Sequence, residues 1–338
     1  VRAARRAVII VHEEEETAMK RLLCWGVIAL GLVASTAWGQ AWPSRPIKLV
    51  VPFAPGGSAD AIARPLAERL SVLLGQPVVV ENKGGGLTAI AGDMVAKSPP
   101  DGYTLYFATA THVLLPYLVQ KLPFDPMKDF THIALMGVQP QLFLSHPGQP
   151  FATFNDMVAY ARANPGKLSI GISDAVSRAN AELLKSALKL DFAIVNYKGG
   201  GPLATDLLAG HVPVGLGTPV LYTPYAKDRK MNALAVTIPR RLSFLPDVPT
   251  VAELTGIQNF DIATWYVVSA PAGLPTPIVD RIQREVSRVA AEPDMRRRLV
   301  DLGVEPPENA SPAATTAQMK SYMDRVGAIL QASGTKPE

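Results

Sequence analysis

From residue 47 onward, short apolar runs alternate with stretches whose apolar residues recur every three or four positions. The runs at 47–54, 78–81, 104–109, 168–172, 192–195, 233–237 and 266–270 are continuously apolar, which suits strands buried on both faces. Between them Ile62, Leu66 and Leu70 recur at helical spacing, as do Ile278, Ile282 and Val286. The second of these helices is expected to open with Thr276 as cap and Pro277 at its first position. Ser311-Pro312 repeats that signal before Met319, Met323, Val326 and Leu330, and Asn164-Pro165-Gly166 ends another helix. Alternating strands and helices predict an α/β fold with largely parallel sheets. The 30 prolines and 26 glycines fall mostly between these elements as turn punctuation, so no long linker divides the chain. Two lobes would then be joined by ordinary strands, expected to cross near 142–145 and near 262–267.

The N-terminal pattern differs. Met19-Lys20-Arg21, an apolar run over 22–34 and small residues at Ala37 and Gly39 make the three-part layout of a secretory signal peptide. The run is shorter than the roughly 20 residues a membrane span needs. Residues 19–39 are therefore expected to be a signal peptide, cleaved before Gln40 or Trp42. Residues 1–18, with the acid run Glu13 to Glu16, do not belong to such a signal and are expected to be an upstream extension ahead of the true first residue, Met19.

With the first 39 of 338 residues removed, 28 basic side chains face 25 acidic ones, a net charge of +3. No basic cluster with interleaved aromatics appears, so no nucleic acid is expected as a partner. Cys24, the only cysteine, lies inside the signal segment, and Arg21-Leu22-Leu23 before it lacks the small residue of a lipoprotein signal. A cysteine-free mature chain excludes disulfides, thiol catalysis and cysteine metal sites. His112, His132, His146 and His211 lack metal-ligand spacing, so neither a metal nor a cofactor is expected.

The strongest local pattern is Val51-Pro52-Phe53-Ala54-Pro55-Gly56-Gly57-Ser58-Ala59-Asp60: a strand, a glycine turn, then a helix start capped by Ser58 or a neighbour. Glycines admit close approach, and the unpartnered amides at a helix N-terminus favour an anion. The same pattern also describes an ordinary strand-to-helix turn. Asp60 would repel a carboxylate, so ordering the loop is its expected role. Pro65 removes the bond to the Ala61 carbonyl, so the helix is expected either to kink there or to begin later. Two further glycine loops follow strands, at Asn82-Lys83-Gly84-Gly85-Gly86 and Asn196-Tyr197-Lys198-Gly199-Gly200-Gly201. Neither matches a phosphate loop or a dinucleotide fingerprint. There is no Gly-x-Ser-x-Gly elbow, since Gly56-Gly57-Ser58-Ala59-Asp60 ends in Asp. Asp174 with Glu182 reads as a pair of solvated helix acids, and Arg296-Arg297-Arg298 as a solvated helix face. Trp265-Tyr266, at the second expected crossing, either lines a cleft or sits in the core.

From Trp42 to Gly334 the chain resembles the substrate-binding receptors of tripartite tricarboxylate transporters, the Bug-type periplasmic proteins. The residues that carry the likeness are Trp42-Pro43-Ser44-Arg45-Pro46-Ile47, the stretch from Val51 to Asp60, and Gly75-Gln76-Pro77-Val78-Val79-Val80-Glu81-Asn82. They continue with Pro100-Asp101-Gly102-Tyr103-Thr104-Leu105, Tyr197-Lys198-Gly199, Leu245-Pro246-Asp247-Val248-Pro249-Thr250-Val251-Ala252-Glu253 and Ala270-Pro271-Ala272-Gly273. The resemblance implies a type II periplasmic-binding-protein fold, two α/β lobes closing on a ligand between them. Lobe 1 would comprise 40–142 and 263–338, and lobe 2 would comprise 143–262. The Pro-Gly-Gly loop would hold a ligand carboxylate, with Tyr197-Lys198-Gly199 and the stretch from Ser173 to Asn180 closing over it. The expected ligand-binding residues are Phe53, Pro55, Gly56, Gly57, Ser58, Asp60, Thr109, Ser173, Asn180, Tyr197, Lys198, Gly199 and Trp265. Departures fall in the second lobe. Asn180 stands near the position where the family has histidine, and Gly217-Thr218-Pro219 replaces an acid that would pair with a ligand ammonium group.

The expected function is that of a periplasmic receptor, not an enzyme. It would capture a small carboxylate (a di- or tricarboxylate, or an aromatic acid) as a monomer and deliver it to membrane permease subunits. A sensory receptor signalling to a membrane kinase is the alternative, and a periplasmic hydrolase using Ser58 is a third reading.

Overall fold

Strand β1 (Ile47–Val51) is buried at four of its five positions. Parallel neighbours flank it on both sides and helices pack on it, so its apolar run meets no water. The computed structural model describes residues 42–226, 228–257, 260–307, 309–334 and 337. The expected signal peptide, Cys24 and the segment 1–18 lie outside the described residues. The fold is that of the unit Arg45–Glu338.

The first sheet has the order β2 (Val78–Asn82), β1, β3 (Thr104–Thr109), β10 (Thr264–Pro271), β4 (Phe130–Gln139). The second has the order β7 (Ala193–Asn196), β6 (Ser169–Ile172), β8 (Val214–Gly217), β5 (Leu142–Ser145), β9 (Asn232–Val236). Each sheet is parallel through three strands and carries one strand antiparallel to its neighbours: β10 beside β3 and β4, and β5 beside β8 and β9. Strand β4 is missing from the expectations above; its His132 and Gly137 interrupt the apolar run that marks the others.

Helices α1 (Ser58–Leu74), α2 (Ala89–Ala96) and α3 (Ala110–Leu114) follow the first three strands. Helices α4 (Phe154–Ala163), α5 (Ala175–Ala187), α6 (Gly200–Leu208), α7 (Pro219–Ala226) and α8 (Val251–Thr255) belong to the half built on the second sheet. After β10 come α9 (Thr276–Ala291), α10 (Pro293–Asp301) and α11 (Pro312–Ala332). Ser311 caps α11 as expected, its hydroxyl accepting from the Ala314 amide, and Asn164 closes α4. The cap of α9 falls one residue earlier than expected, on Pro275, with Thr276 already helical. Helix α1 starts at Ser58 and runs through Pro65, so the late start is ruled out.

The two halves are joined where β4 passes through Pro140-Gln141 into β5 and where Ile262-Ala263 leads into β10. The crossings are tied together. The Gln141 amide donates to Thr237 Oγ1 at 2.9 Å, the Thr237 amide donates to the Gln141 carbonyl at 3.0 Å, and Thr237 Oγ1 donates to the Ile262 carbonyl at 3.2 Å. Helix α5 touches both halves. Its Ala175, Val176 and Ala179 are buried in one cluster with Val113, Leu114, Met319 and Tyr322, while Ala181 and Leu184 belong to the core of the second half.

Candidate binding cleft

The carboxyl ends of the parallel strands in both sheets face the crossings, which is where open α/β sheets bind ligands. At the end of β1 the chain turns through Pro52 to Gly57 and enters α1. The N-cap is Gly57, with φ −80°, and no side chain caps the helix. The first amides of α1 are left for a ligand or water. Ser58 is thus the first helical residue rather than the cap.

Asp60 orders this loop. It is 4% exposed, and its Oδ2 accepts from the Gly56 amide at 2.9 Å and from Arg64 Nε at 2.8 Å. Its Oδ1 accepts from Asn82 Nδ2 at 2.9 Å, and the same nitrogen donates to the Phe53 carbonyl at 3.1 Å. Burial alone would raise the Asp60 pKa, but the bonds from Arg64, Gly56 and Asn82 outweigh it and hold the group below the usual carboxylate range. The carboxylate is committed within the loop, while Pro55, Gly56 and Gly57 remain exposed. The neighbouring glycine loop braces it: a Cβ on Gly84 would sit 3.3 Å from the Ala54 nitrogen.

Beside α1, Tyr266 stacks on Phe107 and donates its hydroxyl to Gln139 Oε1 at 2.6 Å. Burial pushes its pKa up and the Asp174 carboxylate pushes the same way, against the Ser58 hydroxyl. The Ser58 hydroxyl therefore lies near the Tyr266 hydroxyl, close to the start of β10. Thr109, paired with Tyr266 in the sheet, is 3% exposed, and its Oγ1 has no partner.

Trp265 does not join them. Adjacent strand residues face opposite sides. Trp265 is 1% exposed and edge-on to Tyr322 in the core of the first half. Tyr266, one position along, is as deeply buried at 2% and faces the other side of the strand, against Phe107. Asn180 also turns away: it is fully buried, and its Nδ2 donates to Gln141 Oε1, the Val176 carbonyl and the Ile262 carbonyl at 3.3, 3.1 and 3.0 Å. It ties α5 to both crossings.

In the second half, Asp174 caps α5. It accepts from the Ser177 amide at 2.7 Å, and the Ser177 hydroxyl returns to the Asp174 amide in a capping box. Ser173 and Asp174 line a cavity of about 480 Å³, together with Tyr197, Asn196, Arg178 and Glu182, and with Leu87 and Leu118 from the first half. The expectation of solvated helix acids is corrected here: Asp174 and Glu182 both face the cavity. The lining of the cavity does not include the residues from Phe53 to Asp60. Tyr197 donates its hydroxyl to Asp206 Oδ2 at 2.9 Å and so presents its ring. Lys198 is exposed, and Gly199, at φ 119°, caps α6. Arg178 lies within the stretch from Ser173 to Asn180 expected to close over the ligand but was not singled out there. The signal for it was the helix start itself, since a cap at Asp174 puts residue 178 in the first turn.

Two α/β halves joined by paired crossings, with a polar cleft between the carboxyl ends of their strands, define a hinged solute-binding protein. Residues 62–335 match the family model described as the tripartite tricarboxylate transporter family receptor. The structure is similar to that of an R. palustris protein, Rpa4515, solved with adipate: 32% identity, 88% of this chain, 100% of the other, TM-score 0.80. It is similar also to the periplasmic binding protein BugD (31%, 88% and 100%, TM-score 0.78). A third likeness is to MatC of Rhodopseudomonas palustris with bound malate (32%, 86% and 100%, TM-score 0.76). The chain belongs to the tripartite tricarboxylate transporter receptor family.

Proposed function

We propose that this protein captures a small carboxylate between its lobes in the periplasm and delivers it to the permease subunits of a tripartite transporter. The observation that carries this reading is the open N-terminus of α1 at Gly57-Ser58, uncapped by any side chain, with the Ser58 hydroxyl near that of Tyr266. An anion there meets free amides and the positive end of a 17-residue helix. The adipate and malate held by the two relatives are acids of this class. Closure needs no chemistry on the ligand, so the reading is that of a receptor and not of an enzyme.

A thermal-shift screen of small acids tests it. A ligand at about 100 times its dissociation constant stabilises the folded state by roughly 2.7 kcal/mol. For a chain of this size that is a rise of about 5 °C or more. The expected hit carries a free carboxylate, and its methyl ester fails because an ester offers no anion to the helix. Stabilisation only by uncharged sugars or cationic amines would overturn the assignment.

A further inference from the structure

Arg178 and Glu182 stand one turn apart on the same face of α5, a spacing at which opposite charges commonly bridge. Here they do not: among the described residues no carboxylate lies within 4 Å of the Arg178 guanidinium, and Glu182 is attracted by Lys185 and Arg178 only at longer range. Arg178 Nη2 instead donates to Asn196 Oδ1 at 2.7 Å. Both side chains line the cavity, so a donor and an acceptor are offered to its interior side by side. Two of the neighbouring polar groups are already committed. Asp174 is held by Ser177 and faces Gln141 Nε2 at 3.3 Å, and the Tyr197 hydroxyl is held by Asp206.

The first half contributes two apolar side chains to the cavity, beside Ser333 and Gly334. Leu87 is 47% exposed and lines the cavity with Leu118. Its backbone is left-handed, at φ 52°, within a run of four positive-φ residues from Gly85 to Thr88. A non-glycine residue there costs on the order of 1–2 kcal/mol. Strain of this kind concentrates at ligand clamps.

We propose that Arg178 and Glu182 read the far end of the ligand, which is an acid carrying a distal primary amide on an apolar chain. The amide oxygen accepts from Arg178, the amide N–H donates to Glu182, and the methylene chain runs along Leu87 and Leu118. A second carboxylate satisfies Arg178 but meets the Glu182 carboxylate with no proton between them. This inference rests on the reading that the first carboxylate sits at Ser58, and it adds the selection at the other end.

The test is calorimetry with three six-carbon probes: hexanoate, adipate and the monoamide of adipic acid. The wild-type protein should bind the monoamide at least about tenfold more tightly than adipate, the worth of one charge-assisted hydrogen bond. Glu182→Gln, a near-isosteric change checked for folding by its melting curve, should reverse the order, because its amide donates to a second carboxylate. Arg178→Gln should weaken the monoamide and adipate alike. Equal affinities for monoamide and adipate in the wild type, or an unchanged ratio in Glu182→Gln, would overturn the proposal while hexanoate binding leaves the anchor at Ser58 standing. Failure of all three probes would remove the anchor and this selection together.

Discussion

Gly57 has φ −80° and ψ 174°, a conformation open to any residue, and a Cβ on it would meet nothing within 4 Å. Gly57→Val should therefore fold normally, with an unchanged melting temperature, yet lose binding by covering the amides of α1. Unchanged affinity in calorimetry would mean that the carboxylate sits elsewhere. Ser58→Ala should cost less, on the order of 1–3 kcal/mol of binding if the hydroxyl bonds a charged group. Asp60 behaves in the opposite way. Replacing it with Ala leaves the Gly56 amide and the Asn82 side chain without their acceptor, so about 1–3 kcal/mol of stability should go in denaturant unfolding. A variant as stable as the parent would show that the loop holds its shape without that carboxylate.

At the scale of elements, α3 and β4 bring together two histidines far apart in sequence. His112 lies among Tyr106, Phe124 and Phe130, with Nε2 donating to the Pro126 carbonyl at 3.2 Å. The His132 ring is 6.4 Å from it. Burial pushes the His112 pKa down to about 3, assisted by the His132 charge, and burial pushes His132 down to about 4. Both are neutral when folded, whereas the unfolded chain takes up protons near the ordinary 6.5. Their contribution is intact above pH 6.5 and is lost as pH falls toward those depressed values. By pH 5 the loss is about 2 kcal/mol for each histidine. Denaturant midpoints between pH 7 and 5 should fall accordingly, and His132→Phe should flatten the curve. A parent curve flat across that range would refute the account.

At the scale of the whole molecule, closure depends on the crossings and on α5. Asn180 joins α5 to Gln141 and to Ile262, so Asn180→Ala should cost about 1–3 kcal/mol in stability, the price of unsatisfied buried groups. Affinity for the screened acid should change less than about tenfold, because no ligand contact is removed. A loss of binding without a loss of stability would return Asn180 to the ligand shell. Scattering should show the protein becoming more compact with the acid, since a ligand shifts the lobes only by binding the closed form better.

Element types and many boundaries were legible along the chain because each rests on a local cause. β3 needs only its own apolar run, α11 its Ser311-Pro312 start, and the loop before α1 its glycines. The crossings at Pro140-Gln141 and Ile262-Ala263 were expected nearby for the same reason, as apolar strands without a linker. Which side chains meet in the cleft was not local. Tyr266 rather than Trp265 lies near Ser58 because register across β3 and β4 fixes which side of β10 each residue takes. Arg178 and Glu182 look like any exposed pair on a helix until α5 is laid against the wall formed by Leu87 and Leu118. Sequence alone determined the alternation of elements and the glycine turn that opens α1. The pairing of two lobes across one cleft, and with it the identity of the residues that face a ligand, was decided by tertiary packing, because those contacts join residues dozens of positions apart that no local pattern couples.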